Sequence, residues 1–531
     1  MATAYEAKYA QWSRVAQFLK YHLWSGRSAM VACPSAMTDG AASLIKRYLA
    51  SISEVDQVDS ETRKVLESAY DRLTSRKPGY AWTSGQWMTE RSGGSDVRGT
   101  ETRAYRISAQ DQNNTADVVT SDGSPLGPWR IHGFKWFSSA TDADCTVFLA
   151  KVGDSNEVSA FFAPMRMRPR NTEGLDLDKQ DMPFNGITIQ RLKNKLGTRA
   201  LPTAELVLDG MRAYMLGRPG QGTKQISAVL NITRVHNAVS AVGFWAKGLA
   251  VAREYAKVRR SGGKLLMDIP AHVKSLAQQC VEYRANMMLT FFVVSLLGVV
   301  EHPAVVDKEA KSYDRTTLVT SASDAAALLR ILTPTAKALT ALASIAGLRS
   351  CMEALGGIGF LENEEPELNI AMLYRDANVL AIWEGTTDVM AADVIRVLKG
   401  RGGAATLQAF VNWVNTKIAS GGSSTTASHA VIHDQLETLV QLVKNVSTQE
   451  LLYRGRDVVE TIGWIICSVL LVLDAARDRD AASAVIAARW LQKRMKSIVR
   501  GTEANEWSEQ ASHDRLIVFG AQHGEEVTSR L

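Results

Sequence analysis

The stretch Trp383-Glu384-Gly385-Thr386-Thr387 places a carboxylate between an indole and a glycine and follows it with two hydroxyl residues. A carboxylate so placed can act as a general base or as a helix cap, and its surroundings decide which. Leu373, Val379, Leu380 and Ile382 before it, and Val389, Met390, Val394, Ile395 and Leu398 after it, recur at helical spacing. The pentapeptide is therefore predicted to break one helix from the next. The second helix would open with backbone N–H groups outside any ladder, with Thr386, Thr387 or Asp388 as its cap, and could receive an anionic or electron-rich ligand there. Taken alone, the same residues also fit a plain helix–loop–helix with a capping glutamate.

A second candidate is MTERSGGSDVRGTETRA at residues 88–104, where hydroxyls and glycines alternate over a tight loop. Such a loop offers backbone N–H groups and short donors to a flat heteroaromatic ring or a carbonyl. No Gly-x-Gly-x-x-Gly follows a predicted strand, so a Rossmann dinucleotide site is not expected. The five cysteines are far apart with no Cys-x-x-Cys, and the nine histidines form no cluster, which predicts neither a disulfide framework nor a metal site. With 46% hydrophobic and 22% charged residues the chain falls outside the disordered and collagen-like classes. A net charge of +6 is compatible with anionic substrates or nucleic acid and selects neither.

These candidates need elements to hold them. Residues 1–84 carry apolar residues at three-to-four spacing, notably in 5–24 and 39–56, and read as a short helical domain. Residues 85–216 change to short runs bounded by Gly, Pro, Asp and Ser (129–140, 145–152, 157–165, 187–192 and 204–210), and read as a β domain. Helical period returns over 217–400, which includes Glu384. The loop-like segment ASGGSSTTAS at 419–428 lies within a helical extension, 401–531, so the fold class is α+β. The most apolar runs, 287–300 and 461–473, are shorter than the roughly 20 residues of a membrane span and read as buried bundle helices. The chain ends in Ser529-Arg530-Leu531, a variant of the Ser-Lys-Leu address, which predicts a peroxisomal location reached through the import receptor.

Taken together, several motifs resemble the acyl-CoA dehydrogenase family, in the branch that contains AidB. They are TERSGGSD at 89–96, GFKWFSS at 133–139, KLGTRALPTAELVLDG at 195–210, YAKVRRSGG at 255–263, LGGIGF at 355–360 and YRDANVLAIWEGTTDVM at 374–390, in family order. The resemblance implies an N-terminal helical domain, a central β-barrel-like domain and a C-terminal four-helix bundle, here with the helical extension added. It makes Glu384 the catalytic base that removes the α-proton of a fatty acyl-CoA while the β-hydride passes to flavin N5 of FAD, leaving a trans-2-enoyl-CoA. Such a base needs a pKa raised by desolvation, and the enolate oxygen needs donors, in the family the backbone N–H of the base and a ribityl hydroxyl. Trp383, Gly385 and Arg234 fall on the substrate side.

By the same resemblance Met88, Thr89 and Ser95 contact the flavin, and Phe137 with Ser139 lie over its ring, a one-residue shift substituting Trp136 and Ser138. Thr386 and Asp388 follow the base on the flavin side. Arg259 matches an arginine that reaches a neighbouring subunit's FAD, and Glu353 with Gly357 match the loop that contacts it, so a homo-oligomer, dimer or tetramer, is implied. Two departures stand out: Gly262-Gly263 replaces the family's Phe-Gly, and the helical region before the loop is shorter than the family's N-terminal domain. With the terminal tripeptide, the resemblance implies peroxisomal fatty-acyl tailoring in secondary metabolism, such as mycotoxin formation. The rival reading is an AidB-like flavoprotein that binds DNA through the extension. Glu450, Asp457, Glu460, Asp474, Asp478 and Asp480, interleaved with its basic residues, dilute the footprint DNA requires, so nucleic acid is not the expected partner.

Overall fold

The computed structural model describes residues 1–52, 59–108, 110, 112, 117–172, 181–303, 318, 321–362, 369–420, 426–478, 480–494 and 506–519. The terminal Ser529-Arg530-Leu531 lies outside them. The chain forms two compact units, one of residues 1–5 and 28–236, the other of residues 6–27 and 237–531. These units cut across the divisions read from the sequence at 84, 216 and 400.

In the first unit, helices α2 (Ala32–Ser51) and α3 (Ser60–Leu73) precede the strands. Asp59 starts α3 by accepting from Thr62 N at 2.6 Å. Strands β1 (Ser84–Trp87), β2 (Arg103–Arg106), β4 (Trp129–Ser139), β5 (Cys145–Val152), β6 (Val158–Pro164), β8 (Ile187–Leu192) and β9 (Thr203–Leu216) form one seven-stranded sheet, beside a small β3 (Val118–Thr120) and β7 (Met167–Pro169) ribbon. Pairing runs β5–β2–β4–β9–β6 and back to β5, which closes five strands into a barrel, with β1 added to β5 and β8 to β9.

Strand alternation explains why β5 and β6 are buried on both faces. Phe148, Ala150, Phe161 and Ala163 fill the barrel interior, whereas Cys145, Val147, Leu149, Ala160 and Phe162 meet Ala41, Leu44, Ile45, Leu66 and Ala69 of α2 and α3. β9 changes phase at Gly210. There Ile131 pairs with Met211 and His132 with Asp209, and Gly210, at φ +73°, is the extra residue of a bulge.

The second unit is helical. Its long members are the later part of α4 (Gly222–Val258), α5 (Pro270–Glu301), α6 (Ala322–Ala354) and α12 (Gly455–Asp478). A Cβ on Gly347 would strike the Trp245 indole at 2.1 Å, and one on Gly248 would meet Leu348 at 2.8 Å, so glycine lets α4 and α6 approach closely. Fully buried Arg14 on α1 (Ser13–Ser25) grips Glu301 through two 2.7 Å bonds and fastens α1 to the end of α5. The extension continues as α9 (Gly403–Ser420), α10 (Thr426–Asn445), α11 (Thr448–Tyr453), α12, α13 (Ala481–Arg494) and α14 (Glu506–Phe519).

One expectation, on the length of the apolar helices, is corrected. Residues 5–24 are helical in two parts: residues 7–12 are 3-10, Ala10 sits at φ 44°, ψ −126°, and α-helix begins at Ser13. Tyr9 and Trp12, which contributed to the helical spacing, are 39% and 57% exposed, so that spacing does not mark a buried face. The apolar runs at 287–300 and 461–473 belong to helices of 32 and 24 residues. Together with α6, these are long and apolar enough to cross a membrane, so length does not set them apart from spans. In α5, α6 and α12, 56%, 72% and 78% of the apolar window is buried inside the protein.

Candidate active site

The break around Glu384 lies wholly in the second unit. Helix α7 (Ile370–Ala377), capped by Asn369 on Met372 N at 2.9 Å, tightens into a 3-10 turn (Asn378–Ala381), and α8 (Thr387–Lys399) starts after the gap. Within the gap the backbone is left-handed at two successive residues, Glu384 at φ +58° and Gly385 at φ +102°. Glycine enters that region freely; glutamate does so at a cost. Glu384 is half-buried.

Each flank of Glu384 is tied down. Trp383 Nε1 donates to Asn237 Oδ1 at 2.5 Å, and the same amide donates from Nδ2 to Leu380 O at 3.2 Å. Lys337 Nζ, fully buried on α6, donates to Gly385 O. Trp383 is thus a hydrogen-bonded element of the turn as well as an apolar surface. Of the three proposed caps, Thr386 holds the N-cap position, yet its side chain makes no capping bond. Thr387 is buried inside the helix, and Asp388 is gripped by Arg456 of α12 at 2.7 and 3.0 Å. The guanidinium keeps the Asp388 carboxyl below its ordinary range.

In the first unit, Met88 is buried, Thr89 is half-buried and Ser95 is exposed. Among the described residues, no group bonds Thr89 Oγ1 or Ser95 Oγ, while Thr89 O accepts from Trp136 N at 3.0 Å. An irregularity of β4 between Lys135 and Ser138 reverses its phase, so that Ser138 is buried and Phe137 is 52% exposed. Ser139 Oγ meets Thr203 Oγ1 at 3.0 Å, and Ser139 O accepts from Trp87 Nε1 at 3.2 Å. Trp136 lies under cations, Lys193 Nζ 3.2 Å and the Arg91 guanidinium 4.9 Å from its ring centre. An exposed ring beside a loop with unengaged hydroxyls fits a flat heteroaromatic group with acceptors on its edge.

Beneath this loop lies a pair that the motif reading did not single out. Glu90 Oε1 accepts from Lys135 Nζ and Thr102 Oγ1, both at 2.6 Å, and from Thr100 Oγ1, while Oε2 accepts from Glu101 N at 2.5 Å. Lys135 also donates to Leu149 O at 3.0 Å. Burial pushes the Glu90 carboxyl up, but Lys135 and the two threonines outweigh it and bring it down to about 2. A signal was available: on β4, Lys135 shares the inward phase of Ile131, and a lysine on an inward face requires a partner.

The remaining candidates are on other elements. Arg234 is buried on the part of α4 that belongs to the first unit. Arg259 is exposed at the end of α4, and Gly262 and Gly263, both at positive φ, turn the hairpin of β10 (Arg260–Ser261) and β11 (Lys264–Leu265) where an aromatic was missed. Glu353 is exposed and pairs with Arg349 at 3.4 Å, and Gly357 lies open in the 3-10 turn after α6.

Comparison with known proteins places this geometry. Residues 85–211 match the acyl-CoA dehydrogenase middle domain, residues 220–399 the acyl-CoA dehydrogenase C-terminal domain, and residues 405–519 the acyl-CoA dehydrogenase 11 C-terminal domain-like family. Acyl-CoA dehydrogenase family member 11 of Caenorhabditis elegans is 38% identical over 393 residues, 73% of this chain and 55% of the relative. AidB of Escherichia coli strain K12 is 28% identical over 402 residues, 75% of this chain and 63% of the relative, so the match spans just over half to under two thirds of either. The crystal structure of Caenorhabditis elegans ACDH-11 in complex with C11-CoA superposes with a TM-score of 0.80 at 32% identity, covering 99% of this chain and 80% of that one. The chain belongs to the acyl-CoA dehydrogenase family.

Proposed function

We propose that the chain is an FAD-dependent acyl-CoA dehydrogenase that desaturates a fatty acyl-CoA between Cα and Cβ, with Glu384 as the base. The observation that carries this reading is the pinned turn, where a half-buried carboxylate stands in a gap between two helices with both neighbours anchored. A thioester α-proton is a weak acid, so the base must be fixed within reach of it and shielded from bulk water. Glu384 takes that proton at its carboxylate, and the Glu384 N–H is the chain's own donor to the enolate oxygen. FAD, when bound, supplies the acceptor for the β-hydride that leaves as the proton does. Thr89 and Ser95 would hold its edge, and Phe137 would lie against its face. The C11-CoA in the ACDH-11 structure makes medium-length acyl-CoAs the first substrates to test.

The test is an anaerobic titration of the yellow protein with an acyl-CoA series, beside Glu384→Gln. Bleaching of the flavin band by one thioester, and only with Glu384 intact, is the expected result; flavin that no thioester reduces overturns the proposal. DNA binding would then be examined by salt-dependent shift of an arbitrary duplex. A peroxisomal site of action, with the acyl product destined for a secondary metabolite such as a mycotoxin, belongs to the same proposal and rests on Ser529-Arg530-Leu531. Loss of punctate localisation on removing these three residues would support it, and unchanged localisation would end it. A homo-oligomer is proposed because Arg259, Glu353 and Gly357 are exposed, as residues serving a neighbour's cofactor must be in one protomer.

A further inference from the structure

Glu384 occupies a backbone conformation that glutamate does not choose. It is left-handed, as is the next residue, and helical hydrogen bonding lapses across the turn: Trp383 N still bonds Val379 O at 3.1 Å, and the α8 ladder resumes with Met390 N on Thr386 O at 2.9 Å. A strained segment of this kind persists only where its surroundings over-determine it. The surroundings here are two polar side chains that make no contribution to any motif read from the sequence.

Asn237, 4% exposed on α4, uses both ends of its amide on one side of the base. Its oxygen takes the Trp383 indole N–H, and its nitrogen gives to Leu380 O, so the amide orientation is fixed by its partners. Lys337, 0% exposed on α6, gives its ammonium to Gly385 O on the other side. A buried ammonium is expensive to desolvate, and a charge-assisted bond to a carbonyl is correspondingly strong. At Gly385, φ +102°, any side chain would strain the backbone.

We infer that Asn237 and Lys337 are positioning residues that clamp the peptide on either side of Glu384 and hold the base in its left-handed conformation. Neither residue exchanges a proton with substrate; they act through the turn. The inference deepens the dehydrogenase reading and rests on it for its kinetic consequence, while its structural consequence stands apart from that reading.

The experiment compares wild type with Asn237→Ala, Asn237→Asp and Lys337→Met in two measurements. Hydrogen–deuterium exchange of the cofactor-free protein reports directly on the turn. Peptides covering residues 378–390 should exchange about tenfold faster in Asn237→Ala and in Lys337→Met, with α5 and α12 unchanged. Stopped-flow reduction of the flavin by acyl-CoA, followed against pH, reports on the base. The reduction rate should fall about ten- to a hundredfold with the acyl-CoA dissociation constant altered less than about threefold, since a displaced base loses rate and keeps binding. Asn237→Asp keeps the acceptor for Trp383 and loses the donor to Leu380, so it should fall between wild type and Asn237→Ala. It also carries the test if Lys337→Met does not fold. Unchanged exchange in the turn, or a loss of acyl-CoA binding equal to the loss of rate, would overturn the inference. If no acyl-CoA reduces even the wild-type flavin, the proposed function fails, and the exchange result still decides whether the clamp exists.

Discussion

At Glu384 the proposed base and backbone strain coincide in one residue. Replacing the carboxylate by the isosteric amide in Glu384→Gln keeps shape and removes basicity, so acyl-CoA should still bind while flavin reduction slows on the order of 10²–10⁴-fold. Stopped-flow absorbance checks this, and a loss under tenfold would remove Glu384 from the role. Glu90 makes the complementary case, a carboxylate whose task is to hold rather than to react. Glu90→Gln leaves the Lys135 ammonium buried without its counter-charge, and about 3–5 kcal/mol should be lost in urea unfolding. The pH dependence follows from the direction of its shift. A carboxyl held at about 2 in the folded chain and near its ordinary 4.5 when unfolded contributes stability above pH 4.5. That contribution is lost as pH falls from 4.5 toward 2. The wild-type urea midpoint should therefore drop through that window more steeply than that of Glu90→Gln.

Among the elements, α12 of the extension reaches the start of α8 through Arg456 and Asp388. Both side chains are largely exposed, 55% and 71%, so Arg456→Ala should cost no more than about 1 kcal/mol, and less at high salt. Calorimetry at two ionic strengths measures it. Strands of six or more residues were legible as runs set off by Gly, Pro, Asp and Ser: β5 and β8 occur at the bounds read from the sequence. β1, β2, β3 and β7, of three or four residues each, are too short to show a period and were not seen. The break before α8 was visible through Gly385, whereas the clamp was not. Asn237 lies 146 residues from Trp383 and Lys337 48 from Gly385, so no local pattern links them to the turn they flank.

For the whole molecule, the net charge of +6 is spread rather than gathered. In the extension, Arg454 pairs with Glu450 at 3.1 Å, and Asp474 neutralises Arg284 of α5 at 2.8 Å. Arbitrary duplex DNA should accordingly give no shift even at low salt, as an electrophoretic assay would register. Light scattering of the flavin-loaded protein should report a dimer or tetramer, and a monomer at micromolar concentration would count against a shared cofactor site. The barrel itself has a further consequence. Ring closure satisfies the backbone of five strands, but β8 hangs outside the ring, paired with β9, with Ile189 and Leu192 exposed along it. Such a ribbon is a template for runaway aggregation. Arg191 on it and Lys193 just past its end stand as gatekeepers, anchored to Glu205 at 2.7 and 2.5 Å. Expression yield and shelf life of this protein should therefore depend more on those two charges than on any residue of its active site.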